Sequence, residues 1–393
     1  MNDPIVIVGA ARTPMGGFQG NLSSLSAPEL GATAIRAALV QSGIAPDTVQ
    51  EVLMGCVLPA GVGQAPARQA SLGGGLPKAV GCTTINKVCG SGMKATMLAH
   101  DLIRLGTNNI MVAGGMESMS NAPYLLPKAR NGLRLGHGDI VDHMYFDGLE
   151  DAYDRGQLMG TFAEDCAAHY GFSREAQDEF AIRSLERARL ANEDGTFADE
   201  MTPITITTRR GEHVVERDEQ PFAAKLEKIP ALKPAFRDDG TVTAANASSI
   251  SDGAAALVLM PLSQAEQIGA TPRARILDHT TYADEPAWFT TAPVYAIQAL
   301  LEKLAWSVAD VDLFEINEAF AVVTMAAIKD LDLAADKVNV HGGACALGHP
   351  IGASGARIIV TLLNALVKTG GHRGIASLCI GGGEATAIAI ERM

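Results

Sequence analysis

Three side chains suited to covalent and proton-transfer chemistry lie in glycine-rich turns beside apolar, strand-like segments. They are Cys89 in VCGSGM, His349 in GHPIGASG, and Cys379, which is followed by three glycines at 381–383. Backbone N–H groups at the start of a helix favour an anion, so a thiol at such a position is stabilised as the thiolate. A nucleophilic cysteine also needs a base, which an imidazole supplies. The pattern predicts acyl transfer through Cys89, with His349 as its base.

A fourth polar residue, Asn317, stands in EINEAF between a predicted strand and a predicted helix. Its amide is able to hold a water or an oxyanion. All four residues fall at carboxyl ends of predicted strands, where α/β sheets place their ligands. The competing interpretation is structural, because buried cysteines and packed histidines are common in protein interiors. The shared position of four such residues favours catalysis.

The elements that must position these residues form two similar blocks. In the first, the strand TTINKV leads into CGSG, an apolar helix and the strand IMVAGG. In the second, KVNVHGG, with a strand expected at Val338–His341, leads into GHPIGASG, a helix and IASLCIGGG. The common order predicts an α/β protein made of two duplicated halves with equivalent active-site turns.

The remaining pattern places an insertion between these halves. A helix is expected at Ala27–Ser42, capped by Ser26 and ended by Gly43. Residues 118–249 are richer in charge and proline, and we expect one helix there, Ser173–Asn192. We therefore predict an N-terminal half at 1–118 and 250–270, an inserted domain at 119–249, and a C-terminal half at 271–393.

Composition narrows the class of function. The 393 residues are 47% hydrophobic and have a net charge of −13, which argues against nucleic-acid binding. No stretch approaches the roughly 18 apolar residues of a membrane span. The chain runs directly into IVIVGA without a basic leader, so we expect a cytoplasmic protein. The six cysteines show no metal-like spacing, and we predict no metal site.

Taken together, these motifs resemble the thiolase family over essentially the whole chain. The matching stretches are ARTPMGGFQG, NKVCGSGMKA, AGGMESMSNAPY, MG-x-x-AE at 159–164, GTVTAANASSISDGAAALVLM, EINEAFA, GHPIGASGAR and CIGGG. The resemblance is greatest to the acetyl-CoA C-acetyltransferases of that family. It implies a thiolase-like fold in which two βαβαβαββ halves form a layered α-β-α-β-α core, with the inserted domain covering coenzyme A.

The resemblance also implies a mechanism, a reversible Claisen condensation of two acetyl-CoA molecules to acetoacetyl-CoA. Cys89 would take the acetyl group, and Cys379 would remove a proton from the methyl group of the second acetyl-CoA. One oxyanion hole would be His349 with a water held by Asn317. The other would be the backbone N–H groups of Cys89 and Gly381. A tetrahedral oxyanion and an enolate each need such preplaced donors.

Substrate contacts and assembly follow from the same resemblance. Ser248 matches a residue that meets the pantetheine, and Lys228 matches one near the nucleotide phosphates. Four further positions match apolar residues lining the substrate tunnel: Met159, Phe236, Ala244 and Phe320. Pro123–Gly138 matches a tetramerisation loop, which implies a homotetramer built as a dimer of dimers. Coenzyme A is a substrate here, and no resident cofactor is expected.

The sequence departs from the family pattern at three positions. Leu158 stands where short-chain enzymes usually have histidine, which leaves a broader-chain 3-ketoacyl-CoA thiolase of β-oxidation as the alternative. Ala223 replaces an arginine that often contacts coenzyme A. One branch binds potassium through a backbone stretch like Thr243–Ala247, but Leu185 replaces the tyrosine that helps there, which argues against potassium. Outside this activity, a non-catalytic binding module and a ketosynthase-like enzyme with one cysteine and two histidines are the other hypotheses.

Overall fold

The computed structural model describes residues 3–209 and 211–393. Its strands are β1 (Ile5–Arg12), β2 (Gly16–Gly17), β3 (Glu51–Gly55), β4 (Gly81–Ile85), β5 (Met111–Ser118), β6 (Tyr124–Leu125), β7 (Val141–Asp142), β8 (Ile204–Thr208), β9 (Gly211–Val215), β10 (Ser251–Pro261), β11 (Ala274–Ala283), β12 (Leu313–Ile316), β13 (Arg373–Ile380) and β14 (Glu384–Arg392). Its helices are α1 (Ala27–Ser42), α2 (Pro66–Gly73), α3 (Ser91–Arg104), α4 (Met159–Tyr170), α5 (Arg174–Glu193), α6 (Gln220–Ala223), α7 (Leu262–Ile268), α8 (Ala292–Leu304), α9 (Ala321–Asp330), α10 (Ala344–Leu347) and α11 (Ser354–Thr369).

The main sheet repeats one strand order in its two parts. The path runs β12-β13-β14-β11-β1-β10-β5-β3-β4, with β2 paired to β10. From the centre outwards, β1-β10-β5-β3-β4 on one side corresponds to β11-β14-β13-β12 on the other. Within the sheet, the two parts are joined by three residue pairs of β1 and β11, beginning with Ile5 opposite Ile276. The predicted duplication and α/β class are confirmed.

Three apolar clusters define the layers. One packs α1 and α2 against the outer face of the first part of the sheet. Another packs α8 against the outer face of the second part. Between them, α3 and α11 contact strands from both parts, including β1, β5, β13 and β14. The order is therefore α-β-α-β-α, with α3 and α11 in the middle layer.

The helix α1 has the boundaries that its sequence predicts. Its N-cap backbone N–H, at Ser26, donates to the Glu29 carboxylate over 2.8 Å, which closes a capping box. Gly43 ends the helix with φ +66°, a left-handed conformation that glycine adopts without a Cβ clash. These local signals are independent of the tertiary fold, which is why the sequence alone predicts this helix.

The predicted strand at Val338–His341 is wrong. Only Val338 pairs, as an isolated bridge to Phe314, and Asn339 turns away with φ +47°. The Asn339 side chain replaces the missing strand partner: its Oδ1 accepts from the Ile316 N–H and its Nδ2 donates to the Ile316 carbonyl, both at 2.8 Å. In place of an outermost strand, the second half therefore has one bridging residue, Val338, and the hydrogen bonds of the Asn339 side chain.

Residues 119–249 contain the hairpins β6–β7 and β8–β9 and the helices α4, α5 and α6. The helix α5, at Arg174–Glu193, confirms the predicted helix to within one residue at each end. The sequence analysis missed α4, whose N-terminus lies at Met159. In the ranges 3–209 and 211–393, no helix is both long and apolar enough to cross a membrane.

Candidate active site

Two glycine contacts bring the active-site turns together. The helices α3 and α11 meet at their N-termini, where a Cβ at Gly92 would lie 2.8 Å from the Ala356 nitrogen. A Cβ at Gly355 would lie 2.4 Å from the Met93 nitrogen. A side chain at either position would clash with backbone atoms of the facing helix, which cannot move aside as a flexible side chain could. The turn preceding each helix, with Cys89 in one and His349 in the other, is thereby held beside its counterpart.

We expect Gly355→Ala to separate the two turns. Overpacking of this kind costs about 1–3 kcal/mol of stability. A displacement of about 1 Å between reacting groups lowers a rate on the order of 10²-fold. Thermal unfolding and steady-state kinetics would measure both effects. Gly81→Ala is the matched control, because a Cβ there meets nothing closer than 3.7 Å; equal loss in both variants would contradict the contact argument.

A strained turn presents Cys89. The preceding residue, Val88, has φ +44°, a conformation that β-branched residues rarely adopt. The Ser91 hydroxyl holds this turn by donating to the Val88 carbonyl over 2.6 Å and accepting from the Lys87 N–H over 2.8 Å. Strain of this kind persists where the surrounding structure enforces it, as at functional sites.

The two predicted catalytic thiols are neighbours. Burial raises the pKa of Cys89 to about 11, and hydrogen bonds from the backbone N–H groups of Gly381 and of Cys89 itself oppose that shift. Cys379 is the last but one residue of strand β13 and is buried. Its pKa is raised well above the usual value by burial and then by Cys89. Both thiols are therefore protonated at neutral pH before substrate binds. Two backbone N–H groups also converge on the Cys89 sulfur.

His349 is a neutral base beside these thiols. Its Nδ1 lies 2.6 Å from the Ser354 hydroxyl oxygen, and its backbone N–H donates to the Ser249 carbonyl over 3.1 Å. Burial, and then the charge of Arg357, lower its pKa to about 3. Its Nε2 is buried and has no hydrogen-bond partner within the described part of the chain. This nitrogen is available to exchange a proton with a substrate or a thiol.

Asn317 lies behind His349, fully buried, and is oriented by an arginine. One guanidinium nitrogen of Arg357 lies 3.5 Å from the Asn317 Oδ1, and another donates to Glu315 over 3.0 Å. A guanidinium can only donate hydrogen bonds, so it faces the oxygen of the Asn317 amide. The amide nitrogen of Asn317 therefore points towards His349 and lies 3.5 Å from its Nδ1. Arg357 is thus a positioning residue for Asn317.

A buried carboxylate fixes the loop that contains His349. Glu117, at the end of β5, accepts backbone N–H groups from Val57 at 2.9 Å, Leu58 at 3.1 Å and Gly352 at 2.9 Å. Burial raises its pKa to about 7, against the effect of these three donors. Glu117 therefore ties the loop after β3 to the turn after His349.

One pocket of about 470 Å³ collects most of the predicted site residues. Its walls include Cys89, His349, Cys379 and Gly381 together with the predicted substrate contacts Leu158, Met159, Phe236, Ala244, Ser248 and Phe320. Asn317 does not line the pocket. The volume is within the range of small-molecule sites, and the lining is mostly apolar with a few reactive groups at one end.

Lys228 lies elsewhere, on a second pocket of about 340 Å³. That pocket shares Ala244 and Ser249 with the first, so the two are contiguous. Lys225 and Lys228 provide its positive charge, and Ala223 also lines it. The predicted phosphate contact therefore lies in a neighbouring pocket, on the other side of Ala244 from the thiols.

Sequence analysis missed the residues that support the site. Ser354, Arg357 and Glu117 stand inside recognised motifs but were assigned no role there. An arginine directly before the apolar segment IIVTLL of α11 was the available signal, because buried charges require partners. Phe289 also lines the pocket and was assigned no role from the sequence.

Two family models together match almost the whole chain. The N-terminal domain of thiolase matches residues 5–263, and the C-terminal domain matches residues 270–392. The chain belongs to the thiolase family. The boundary between the two matches falls between β10 and β11, where the duplicated parts of this thiolase meet.

Named relatives and solved structures agree with this assignment. The thiolase is 51% identical to acetyl-CoA acetyltransferase 2 of Arabidopsis thaliana, over 98% of this chain and 96% of that protein. It is 49% identical to acetyl-CoA acetyltransferase of Pseudomonas aeruginosa, over 99% of both chains. The Bacillus anthracis acetyl-CoA acetyltransferase structure matches with a TM-score of 0.97 at 44% identity, over 100% of both chains. The Ascaris suum Acat5 thiolase, solved with coenzyme A, matches with a TM-score of 0.94 at 42% identity, over 99% of this chain and 100% of that one.

Proposed function

We propose that this thiolase is an acetyl-CoA acetyltransferase that condenses two acetyl-CoA molecules, reversibly, to acetoacetyl-CoA and coenzyme A. The observation that supports this most directly is the meeting of Cys89, Cys379 and His349 in one apolar pocket. Acyl transfer alone needs one thiol and one base. A second buried thiol beside the first is suited to a second proton transfer, which carbon–carbon bond formation requires.

In the first half-reaction, Cys89 attacks the thioester carbonyl of acetyl-CoA and passes its proton to His349. The tetrahedral oxyanion takes hydrogen bonds from the backbone N–H groups of Cys89 and Gly381, which already converge on the sulfur. Collapse of this intermediate breaks the carbon–sulfur bond to coenzyme A and leaves acetyl-Cys89. The departing coenzyme A thiolate takes a proton from Cys379.

In the second half-reaction, the Cys379 thiolate removes a methyl proton from a second acetyl-CoA. The resulting enolate oxygen is held by His349, which is now protonated, and by a water that Asn317 binds. The enolate carbon attacks the acetyl-Cys89 carbonyl and forms the new carbon–carbon bond. The Cys89 thiolate leaves and recovers its proton from His349, so that both thiols and the imidazole return to their starting states.

The proposed course of coenzyme A follows the two contiguous pockets. The pantetheine passes Ser248 and Ala244, between Met159, Phe236 and Phe320, and the nucleotide phosphates lie near Lys228. Ala223 replaces an arginine that often contacts coenzyme A, and Lys225 supplies a positive charge in the same pocket. No resident cofactor is required, and Leu185 beside Thr243–Ala247 argues against a potassium site.

The acyl end of the pocket is closed by aromatic packing. Phe289 is buried and packs edge-on against Phe162, with ring centroids 6.4 Å apart. We expect Phe289→Val to enlarge this end and to raise kcat/KM for branched or longer 3-ketoacyl-CoA relative to acetoacetyl-CoA about tenfold, the effect of one or two methylenes in an apolar pocket. Phe314→Val is the control, because Phe314 is buried in a separate apolar cluster and does not line the pocket; the same change of preference in that variant would contradict the assignment.

Thiolysis kinetics test the proposed substrate. We expect a higher kcat/KM with acetoacetyl-CoA than with 3-ketoacyl-CoA of eight to sixteen carbons, with free coenzyme A as cosubstrate. The alternative, a broader-chain thiolase of β-oxidation, is favoured by Leu158, an apolar residue that lines the pocket where short-chain relatives usually have histidine. A higher kcat/KM with the longer substrates would establish that alternative instead.

Assembly and location are also proposals. The segment Pro123–Gly138 exposes three leucines, Leu126 at 49%, Leu133 at 54% and Leu135 at 101% of their surface. Exposed apolar side chains on one loop are typical of contact surfaces, which supports the homotetramer, a dimer of dimers. The cytoplasmic location and the domain boundaries at residues 118, 249 and 270 stay predictions from the sequence.

A further inference from the structure

Two histidines and an aspartate that the proposed reaction does not use lie together away from the thiols. His100 and Asp101 stand on α3, and His279 stands on β11. The Asp101 Oδ1 lies 3.1 Å from the His100 Nδ1 and 2.9 Å from the His279 Nε2. The two rings are edge-on with centroids 5.3 Å apart. At 1.5 Å of rise per residue, His100 lies about 14 Å along α3 from Ser91, the first residue of the helix.

The three ligand atoms have the spacing of a metal site. All lie within 4.8 Å of one another. A tetrahedral ion with bonds of about 2.0–2.1 Å separates its ligands by about 3.3 Å, so small side-chain rotations suffice to admit one. Two imidazole nitrogens and a carboxylate oxygen suit zinc and neighbouring transition metals, and three protein ligands leave one coordination position open.

A metal site needs ligands that the fold holds in place and an open side through which the ion can enter. The His100 and His279 side chains are 4% and 13% exposed, whereas Asp101 is 45% exposed. The imidazoles are thus held by the fold, and the carboxylate side is open for an ion to enter. Two nearby positive charges oppose a cation: Arg104, beside His100, and Lys303, whose Nζ donates to the His279 carbonyl over 3.3 Å.

We propose that His100, Asp101 and His279 form a binding site for a divalent transition metal of the zinc type. The ion would join α3, the helix that begins beside Cys89, to β11 of the other half of the fold. Sequence spacing did not reveal the site, because Asp101 and His279 are 178 residues apart. The alternative is a hydrogen-bonded group in which one carboxylate only accepts from two imidazoles.

Equilibrium dialysis of the chelator-treated, full-length protein against zinc, with metal quantified by mass spectrometry, tests the proposal. We expect one zinc per chain in the wild type, at least tenfold weaker binding in His279→Ala and Asp101→Asn, and unchanged binding in His213→Ala, which removes an exposed imidazole on β9. Asp101→Asn changes a half-exposed side chain and is expected to fold, which circular dichroism checks.

Cobalt substitution separates this site from the cysteines. A cobalt spectrum without a thiolate charge-transfer band, lost in His279→Ala, would support the assignment. Zinc binding unaffected by both substitutions, no binding in the wild type, or a thiolate band abolished by Cys379→Ala would overturn it. Metal binding is measured without acyl-CoA, so its outcome is independent of the proposed reaction.

Discussion

Cys89→Ala is expected to abolish both thiolysis and condensation, lowering kcat/KM by about 10⁴-fold or more. The variant retains the pocket, the His349 base and the backbone N–H groups of residues 89 and 381, but it lacks the thiol that takes the acyl group from coenzyme A. Removing the nucleophile of an enzyme with a covalent intermediate typically has an effect of at least this order. The loss of kcat/KM is measured in an assay of acetoacetyl-CoA cleavage that monitors the decrease in absorbance of the acetoacetyl-CoA enolate.

The control for this prediction is another half-buried thiol. Cys82 lies on the edge strand β4 and does not line the pocket. We expect Cys82→Ser to retain near-normal kcat/KM. Substantial residual activity in Cys89→Ala would show that a different group accepts the acyl chain, which contradicts transfer through Cys89.

Cys379→Ala is expected to separate the two half-reactions. Without this thiol nothing removes the methyl proton, so condensation should fall about 10³-fold, within the range of general base catalysis. Acetylation of Cys89 should persist, because coenzyme A is a stable leaving thiolate and His349 is unaffected. Acetyl exchange between acetyl-CoA and labelled coenzyme A measures the first half-reaction, and acetoacetyl-CoA formation measures the second.

Cys166→Ala controls for the loss of a buried thiol. Cys166 belongs to the same apolar cluster as Cys379 but lies outside the pocket. We expect the Cys166→Ala variant to be somewhat less stable than the wild type and to retain both half-reactions. If Cys379→Ala kept condensation, or if it lost acetyl exchange as fully as Cys89→Ala does, the assignment of Cys379 as the base for carbon–carbon bond formation would fail.

The features that could be predicted from the sequence depend on interactions between residues close together in the chain. The capping box and terminal glycine of α1 act within a few residues, and the glycine turns around Cys89 and His349 are visible as motifs. The strand expected at Val338–His341 failed for a tertiary reason, since the Asn339 side chain takes the place of a backbone partner of Ile316. No local pattern distinguishes an asparagine that does this from one in an ordinary turn.

The supporting contacts of the site depend on distant residues. Glu117 meets the turn after His349 across 235 residues, and Arg357 meets Glu315 across 42. Sequence motifs identify the reacting side chains because their types limit the chemistry. They do not show which buried charge holds which loop, because that depends on how α11 packs between the two parts of the sheet. The neutral state of His349 likewise follows from its burial, which only the fold reveals.

The most direct test of the central claim is the identity of the acylated residue. Cys379→Ala should be mixed with acetyl-CoA, quenched in acid and digested, and its peptides examined by mass spectrometry. We predict one acetyl group per chain, on the peptide containing Cys89, and its removal on addition of free coenzyme A. An unmodified Cys89 peptide, or an acetyl group on any other cysteine, would contradict the proposed transfer through Cys89.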